Sequence, residues 1–291
     1  MMPLNNDISP PGQSSGFGLI TALMFVLLVA AAITPLAVVS RTQVLSSAYS
    51  TRRTAFELLA PGLSRVVYAR YSATPMITGW QRCEGKNSVF YLRVQDQNGL
   101  IGLNSASNAL LEIGFRSLGY SDVDATHFAD RVEAYRELGA VGNSVESDPA
   151  FVAKHAPFES IAELYDVLTP SAPEMDRLAD VFTLYNRTDS VTVSHSGGTL
   201  RKQLTLRENE QQFAVAGDLP SGHAEISFAE FKVGEPFGFL SKIMMTRSSE
   251  PGASAEIVQR DITFAGLDSL GLEVLESMQC PEYLRALTEG L

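Results

Sequence analysis

The sequence predicts an α+β protein: a long amino-terminal helix, apolar then amphipathic, on an antiparallel sheet that is interrupted by an inserted run of helices. Three observations predict it. Residues Phe17–Val39 carry no ionisable side chain. Apolar residues then recur at three- and four-residue steps to about Ser72. Helical patterns over residues 99–185 are followed, from Asn186, by short alternating runs separated by Gly, Pro, Ser and Asn.

The apolar run spans about 23 residues, and at 1.5 Å per residue it can cross a hydrocarbon core of roughly 30 Å. A soluble helix of that length would show a polar stripe. This one is apolar all round and reads as a membrane span over 17–39. Ahead of it, residues 1–16 hold no Lys or Arg and one acid, Asp7. A secretory signal peptide has a cationic start, a shorter apolar core and a small-residue cleavage site after it. None of these is present.

Beyond the span, Leu45, Ala48, Phe56, Leu59, Leu63 and Val66 mark one face of a helix, with Arg41, Arg52, Arg53 and Arg65 facing away. Pro61-Gly62 is expected to kink or break it, because proline lacks the amide and crowds the preceding turn. Ser88–Val94 reads as a strand closed by the turn Asp96-Gln97-Asn98-Gly99. A short extended piece over 100–103 then opens a helix, with Asn104 or Ser105 as N-cap. Ser121 starts a second helix through Phe128, Val132 and Tyr135. Ser160 caps a third and Glu163 closes its capping box. Pro173–Leu178 begins a fourth, before a strand over Val181–Tyr185. Further strands are expected at 190–195, 201–207, 212–216, 224–231, 243–246 and 257–264, with a helix over 269–286 interrupted near Cys280-Pro281.

Composition narrows function. A net charge of −11 opposes a nucleic-acid partner, since phosphate binding needs a basic surface. Leu168–Pro173 lacks the glycine and the basic cluster of a helix-hairpin-helix DNA module. Cys83 and Cys280 form no CxxC or Cys/His cluster, which argues against zinc. His127, His155, His195 and His223 lack HExxH spacing, and Ser194–Gly198 is a polar turn rather than a nucleophile elbow. No Walker or dinucleotide glycine pattern appears, so the chain does not read as an enzyme. Asn186-Arg187-Thr188 fits the glycosylation consensus, a weak signal in one triplet.

The Gly16-Phe17 junction, set at the start of the apolar run, resembles the processing site of type IV prepilins and type II secretion pseudopilins. The resemblance implies cleavage between Gly16 and Phe17 by prepilin peptidase and N-methylation of Phe17. Most pilin-like chains then carry Glu at the fifth mature position, which here is Thr21. A carboxylate in lipid is costly unless paired, and its usual partner is the terminal ammonium of a neighbouring subunit. Its absence resembles the K-type minor pseudopilin of type II secretion, the general secretion pathway protein K family. Residues 99–111, 155–164 and 181–185 match, in order, elements of the helical domain inserted in that family's pilin-like domain.

That resemblance implies a leader over 1–16, a discontinuous pilin-like domain over 40–98 and 186–291 on a helical spine, and an inserted all-α domain over 99–185. It implies a non-catalytic subunit at the tip of the pseudopilus, priming assembly and aiding export of folded periplasmic proteins. Its partners would be the I- and J-type minor pseudopilins, prepilin peptidase and the inner membrane, with the carboxyl-terminal domain in the periplasm. Counted alone, Arg41, Arg52 and Arg53 would place that domain in the cytoplasm instead. In a periplasmic domain Cys83 and Cys280 have two open readings, a disulfide or two separate buried thiols. Family members often carry an acidic, calcium-associated loop after the second helix. Here the corresponding piece is Arg131–Glu137, and Glu133, Glu137, Glu146 and Asp148 read more readily as a solvated face than as a calcium site, so no cofactor is assigned. The competing readings are a type IV minor pilin, which should lack the insertion, and a membrane-tethered periplasmic adaptor or hydrolase.

Overall fold

A computed structural model describes residues 15–71, 79–137, 151–168, 173–206, 208–217, 221–247, 255–270, 280, 282 and 285. The elements are, in order, α1 (Ser15–Tyr71), β1 (Gln81–Glu84), β2 (Ser88–Asp96), β3 (Ile101–Gly102), α2 (Asn108–Ser117), α3 (Asp122–Arg136), α4 (Leu164–Leu168), α5 (Met175–Ala179), β4 (Phe182–Thr183), β5 (Val191–Thr192), α6 (Gly198–Leu206), β6 (Ala214–Val215), β7 (His223–Lys232), β8 (Phe237–Thr246) and β9 (Glu256–Gly266). The chain divides at Ala55/Phe56 into two compact units.

The first unit holds the amino-terminal part of α1. It is long and apolar enough to cross a membrane, and its most apolar window is not buried in the protein at all. Four of its threonine hydroxyls are satisfied within the helix: Thr21, Thr34, Thr42 and Thr51 donate to the carbonyls of Phe17, Ala30, Val38 and Ser47. In hydrocarbon an unsatisfied polar group would cost several kcal/mol. Leu45 and Ala48, expected on the apolar face of this stretch, are exposed.

In the second unit the remainder of α1 lies on the antiparallel sheet β1-β2-β7-β8-β9. The buried stripe is Phe56, Ala60, Leu63, Val67 and Tyr71, at helical spacing. Val66, expected on that stripe, is instead exposed. Phe90, Leu92 and Val94 of β2, Ile226 and Phe228 of β7, and Phe239, Ile243 and Met245 of β8 meet the stripe. Phe56 stacks on Phe228 and Phe239, with centroids 5.8 and 5.6 Å away. Each such side chain contributes about 1.5–3 kcal/mol when fully buried.

The helix does not break at Pro61-Gly62. Proline at 61 removes the amide that would bond the Glu57 carbonyl four residues back. The Arg260 guanidinium on β9 donates to that carbonyl instead, so the freed acceptor is satisfied from the sheet. Arg260→Ala is expected to cost about 1 kcal/mol, or about 2–4 °C of melting temperature. In a Pro61→Ala background, where the helix supplies its own donor, the cost should shrink, and a double-mutant cycle reads the difference.

Between β2 and β7 the chain builds a second core from α2, α3, α4, α5 and α6. Ser121 caps α3, accepting from the Asp124 amide, and Ser160 with Glu163 forms the full capping box ahead of α4. The cap of α2 is Ser107, not Asn104 or Ser105. Asn104 is engaged elsewhere, exchanging two hydrogen bonds with the Phe158 backbone, and Ser105 donates to the Asn186 carbonyl. Residues 201–206 are helical in α6 rather than extended, because Leu200 and Leu204, four apart, enter this core while Leu206 is exposed. The strands expected at 181–185, 190–195 and 212–216 shrink to the two-residue β4, β5 and β6, and 3-10 turns take up Val193–His195 and Glu208–Phe213. Those expected at 224–231, 243–246 and 257–264 lie within the longer β7, β8 and β9. Of the carboxyl-terminal helix expected over 269–286, most lies outside the described residues.

Candidate functional site

Two places are candidates, one that the sequence singles out and one that only the fold brings together. At the amino terminus, Gly16 and Phe17 lie in the first turn of α1, where Phe17 is 78% exposed and no acid is present. Residues 1–14 lie outside the described residues. The Thr21 hydroxyl donates to the Phe17 carbonyl within its own helix. A neutral hydroxyl so engaged supplies no countercharge to an ammonium at Phe17, unlike a carboxylate at that position.

The second place is where the helical core joins the sheet. Asp96 ends β2 with no exposed surface. Its Oδ1 accepts from the Asn98 amide at 2.8 Å, and its Oδ2 accepts from the Ser221 amide at 2.7 Å and from the Tyr71 hydroxyl. His195 Nδ1 lies 3.6 Å from Oδ2. Burial first, then the charge and hydrogen bond of Asp96, push the Tyr71 phenol far up, so it stays a donor. Gln95 Nε2 donates to the His195 carbonyl at 2.9 Å, Thr183 Oγ1 to Gln97 Oε1 at 2.5 Å, and Asn186 Nδ2 to the Leu100 carbonyl at 2.8 Å. The backbone here is packed too closely for side chains. A Cβ at Gly99 would lie 2.1 Å from the His195 carbonyl oxygen, and one at Gly102 2.1 Å from that of Asn186.

Beside this junction an open cleft of about 520 Å³ separates the sheet from the helical core. Arg93, Lys242 and Asp261 line its floor, and they stand in one register row that runs through the buried Ser227 on β7. Its roof includes Met175 and Asp176. Arg93 pairs with Asp180 at 3.0 Å and Lys242 with Asp176 at 2.6 Å.

The remaining sequence candidates are dispersed. Cys83 and Cys280 form a disulfide with Cα atoms 4.7 Å apart. Glu133 accepts from Asn108 and Glu137 pairs with Arg136, while Glu146 and Asp148 lie outside the described residues. Among the described residues no three His, Cys, Asp or Glu side chains gather to hold a metal. His127 and His155 are exposed, His223 stacks on Tyr185, and His195 is buried at the junction. Asn186 is 1% exposed and donates both ways into the fold, so it is no surface glycosylation acceptor. Sequence reading missed Asp96, Gln95, Asp176 and Asp180. The Asp96-Gln97-Asn98-Gly99 turn was the one visible sign of the junction.

No protein-family model and no curated protein sequence matches the chain. Among solved structures, the chain is similar to a chain of the GspK–GspI–GspJ complex from the type 2 secretion system of enterotoxigenic Escherichia coli. The TM-score is 0.53 at 9% identity, and the match covers 76% of this chain and 99% of that one. This chain shares that fold. The chain's own mixed α+β architecture, with a long amino-terminal helix, an antiparallel sheet and further helices, is the class the sequence predicts and is consistent with that fold.

Proposed function

We propose that this chain is a K-type minor pseudopilin of a type II secretion system, placed at the pseudopilus tip, where it primes assembly and aids export of folded periplasmic proteins. The observation that carries the reading is one combination. A Gly16-Phe17 junction opens an exposed apolar helix, and the chain shares its fold with a chain of the GspK–GspI–GspJ complex over nearly that chain's whole length. In this reading residues 1–16 are a leader removed by prepilin peptidase, Phe17 is the methylated terminus and 17–39 cross the inner membrane. The sheet and α1 form a pilin-like domain in the periplasm, into which the helical core is inserted. The Cys83–Cys280 disulfide supports that compartment, since such bonds persist where conditions are oxidising. The role is structural rather than catalytic, and the partners are the I- and J-type minor pseudopilins.

Thr21 gives the tip position its physical sense. A subunit without a carboxylate there gains nothing from the terminal ammonium of a neighbour, so it has no electrostatic reason to enter beneath an earlier subunit. Mass spectrometry of the protein from envelopes of peptidase-positive cells is expected to find Phe17 as the methylated first residue. Gly16→Ala should leave residues 1–16 attached. Recovery of Met1 or Met2 from cells with active peptidase defeats the proposal. Co-purification of the full chain with I- and J-type pseudopilins, and not with pilus subunits, separates secretion from a type IV pilus.

A further inference from the structure

The two flanks of the helical core are attached to the sheet by different physics. On one flank the attachment is dry and short-range. Asp96 is fully buried, Gln95 and Asn186 are nearly so, and the backbone at Gly99 and Gly102 is in contact with the chain opposite. On the other flank lies the cleft, and what spans it is ionic and wet. Asp176 is 74% exposed and Asp180 55% exposed at the side chain, and both sit on or directly after α5. Exposed ion pairs weaken sharply with salt, whereas buried hydrogen bonds do not.

We propose that the helical core is hinged on the sheet at the Asp96–Gly99 turn, and that Arg93–Asp180 and Lys242–Asp176 form a charge latch that holds it closed over the cleft. Releasing the latch costs little, because each partner regains water at once. Opening the junction would strand buried donors and acceptors, so motion is confined to the cleft side. What opening uncovers includes apolar lining such as Met175 and Met244, beside the polar row on the floor. The cleft's size suits a small molecule or a few extended residues. The latch is a property of the head alone and is independent of the secretion assignment.

Adjacent methionines on β8 report the motion directly. Met244 lines the cleft and is 7% exposed, while Met245 points to the other face under α1 and is fully buried. Hydrogen peroxide oxidation of the full-length chain in detergent micelles, followed by peptide mass spectrometry, reads both. Raising salt from about 0.05 to about 1 M shortens the Debye length from over 10 Å to about 3 Å and is expected to speed Met244 oxidation about fivefold, with Met245 unchanged. Arg93→Ala with Lys242→Ala should do the same at low salt. The charge swap Asp176→Lys with Lys242→Asp should restore protection. The latch is refuted if Met244 ignores both salt and the double substitution, or if Met244 and Met245 accelerate together. A swap that stays as open as Lys242→Asp alone refutes it too.

Discussion

Replacing Cys83 and Cys280 together with Ala is expected to lower the melting temperature of the full chain by about 10–20 °C. The bond joins residues 197 apart in sequence, so it closes a loop that contains β2, the whole helical core and β7 to β9. In the chain-entropy account, a loop of that length restricts the unfolded chain by about 5 kcal/mol. At the 2–4 °C per kcal/mol typical of a domain this size, the stated shift follows. Cys83 is 2% exposed on β1 and packs with Phe90 and the stripe of α1. Its truncation alone should therefore cost more than that of Cys280, by the value of the lost packing. The excess isolates packing from the bond, and the double variant should be little worse than Cys83→Ala. Reductant should act slowly on the folded protein, because the sulfur at Cys83 is shielded. Single and double variants that all melt with the wild type would remove the disulfide from any account of this head.

What the sequence shows plainly is what depends on neighbours in the chain. The helix through 17–39, the Ser121 cap of α3, and the Ser160–Glu163 capping box are local and all are found. The misreadings are places where a distant residue decides. Pro61 has a breaker's chemistry, yet the helix runs on, and the carbonyl that Pro61 leaves without its amide is met by Arg260, far away on β9. Arg201–Arg207 alternates well enough to pass for a strand, but the pair that matters is Leu200 and Leu204, and the core that receives them lies far back in the chain. Asn104 looks like a cap until its partner Phe158 is known. The site divides the same way. Gly16, Phe17 and Thr21 stand out in the sequence by their spacing from the apolar run, and the roles proposed for them rest on that spacing. Asp96 is not, because an Asp before a Gln-Asn-Gly turn is ordinarily solvated. Nothing local says that Tyr71, Ser221 and His195 close over it.

That closure makes Asp96 the side chain whose loss should be felt most. Asp96→Ala leaves the Tyr71 hydroxyl and the Ser221 amide buried, and the Asn98 amide half-buried, without their acceptor. Each unsatisfied donor costs about 1–3 kcal/mol, and a total of about 3–5 kcal/mol allows for water entering the space. The four segments that converge there are the end of α1, the end of β2, the turn after β5 and the approach to β7, so the loss loosens both cores at once. Asp96→Asn keeps the shape and one acceptor oxygen. Its amide nitrogen would face either the Ser221 amide or the Asn98 amide, neither of which can accept, and the expected cost is about 1–2 kcal/mol. Tyr71→Phe removes one donor and leaves the carboxylate its two amide bonds, for about 1 kcal/mol. Chemical unfolding of the three full-length variants should rank them in that order. The order matters more than the values, because it follows from counting stranded donors. If Asp96→Ala unfolds within about 1 kcal/mol of the wild type, the carboxylate does not hold these segments together. The hinge proposed at Asp96–Gly99 would then have no fixed axis, and Met244 and Met245 should lose their contrast in the same variant.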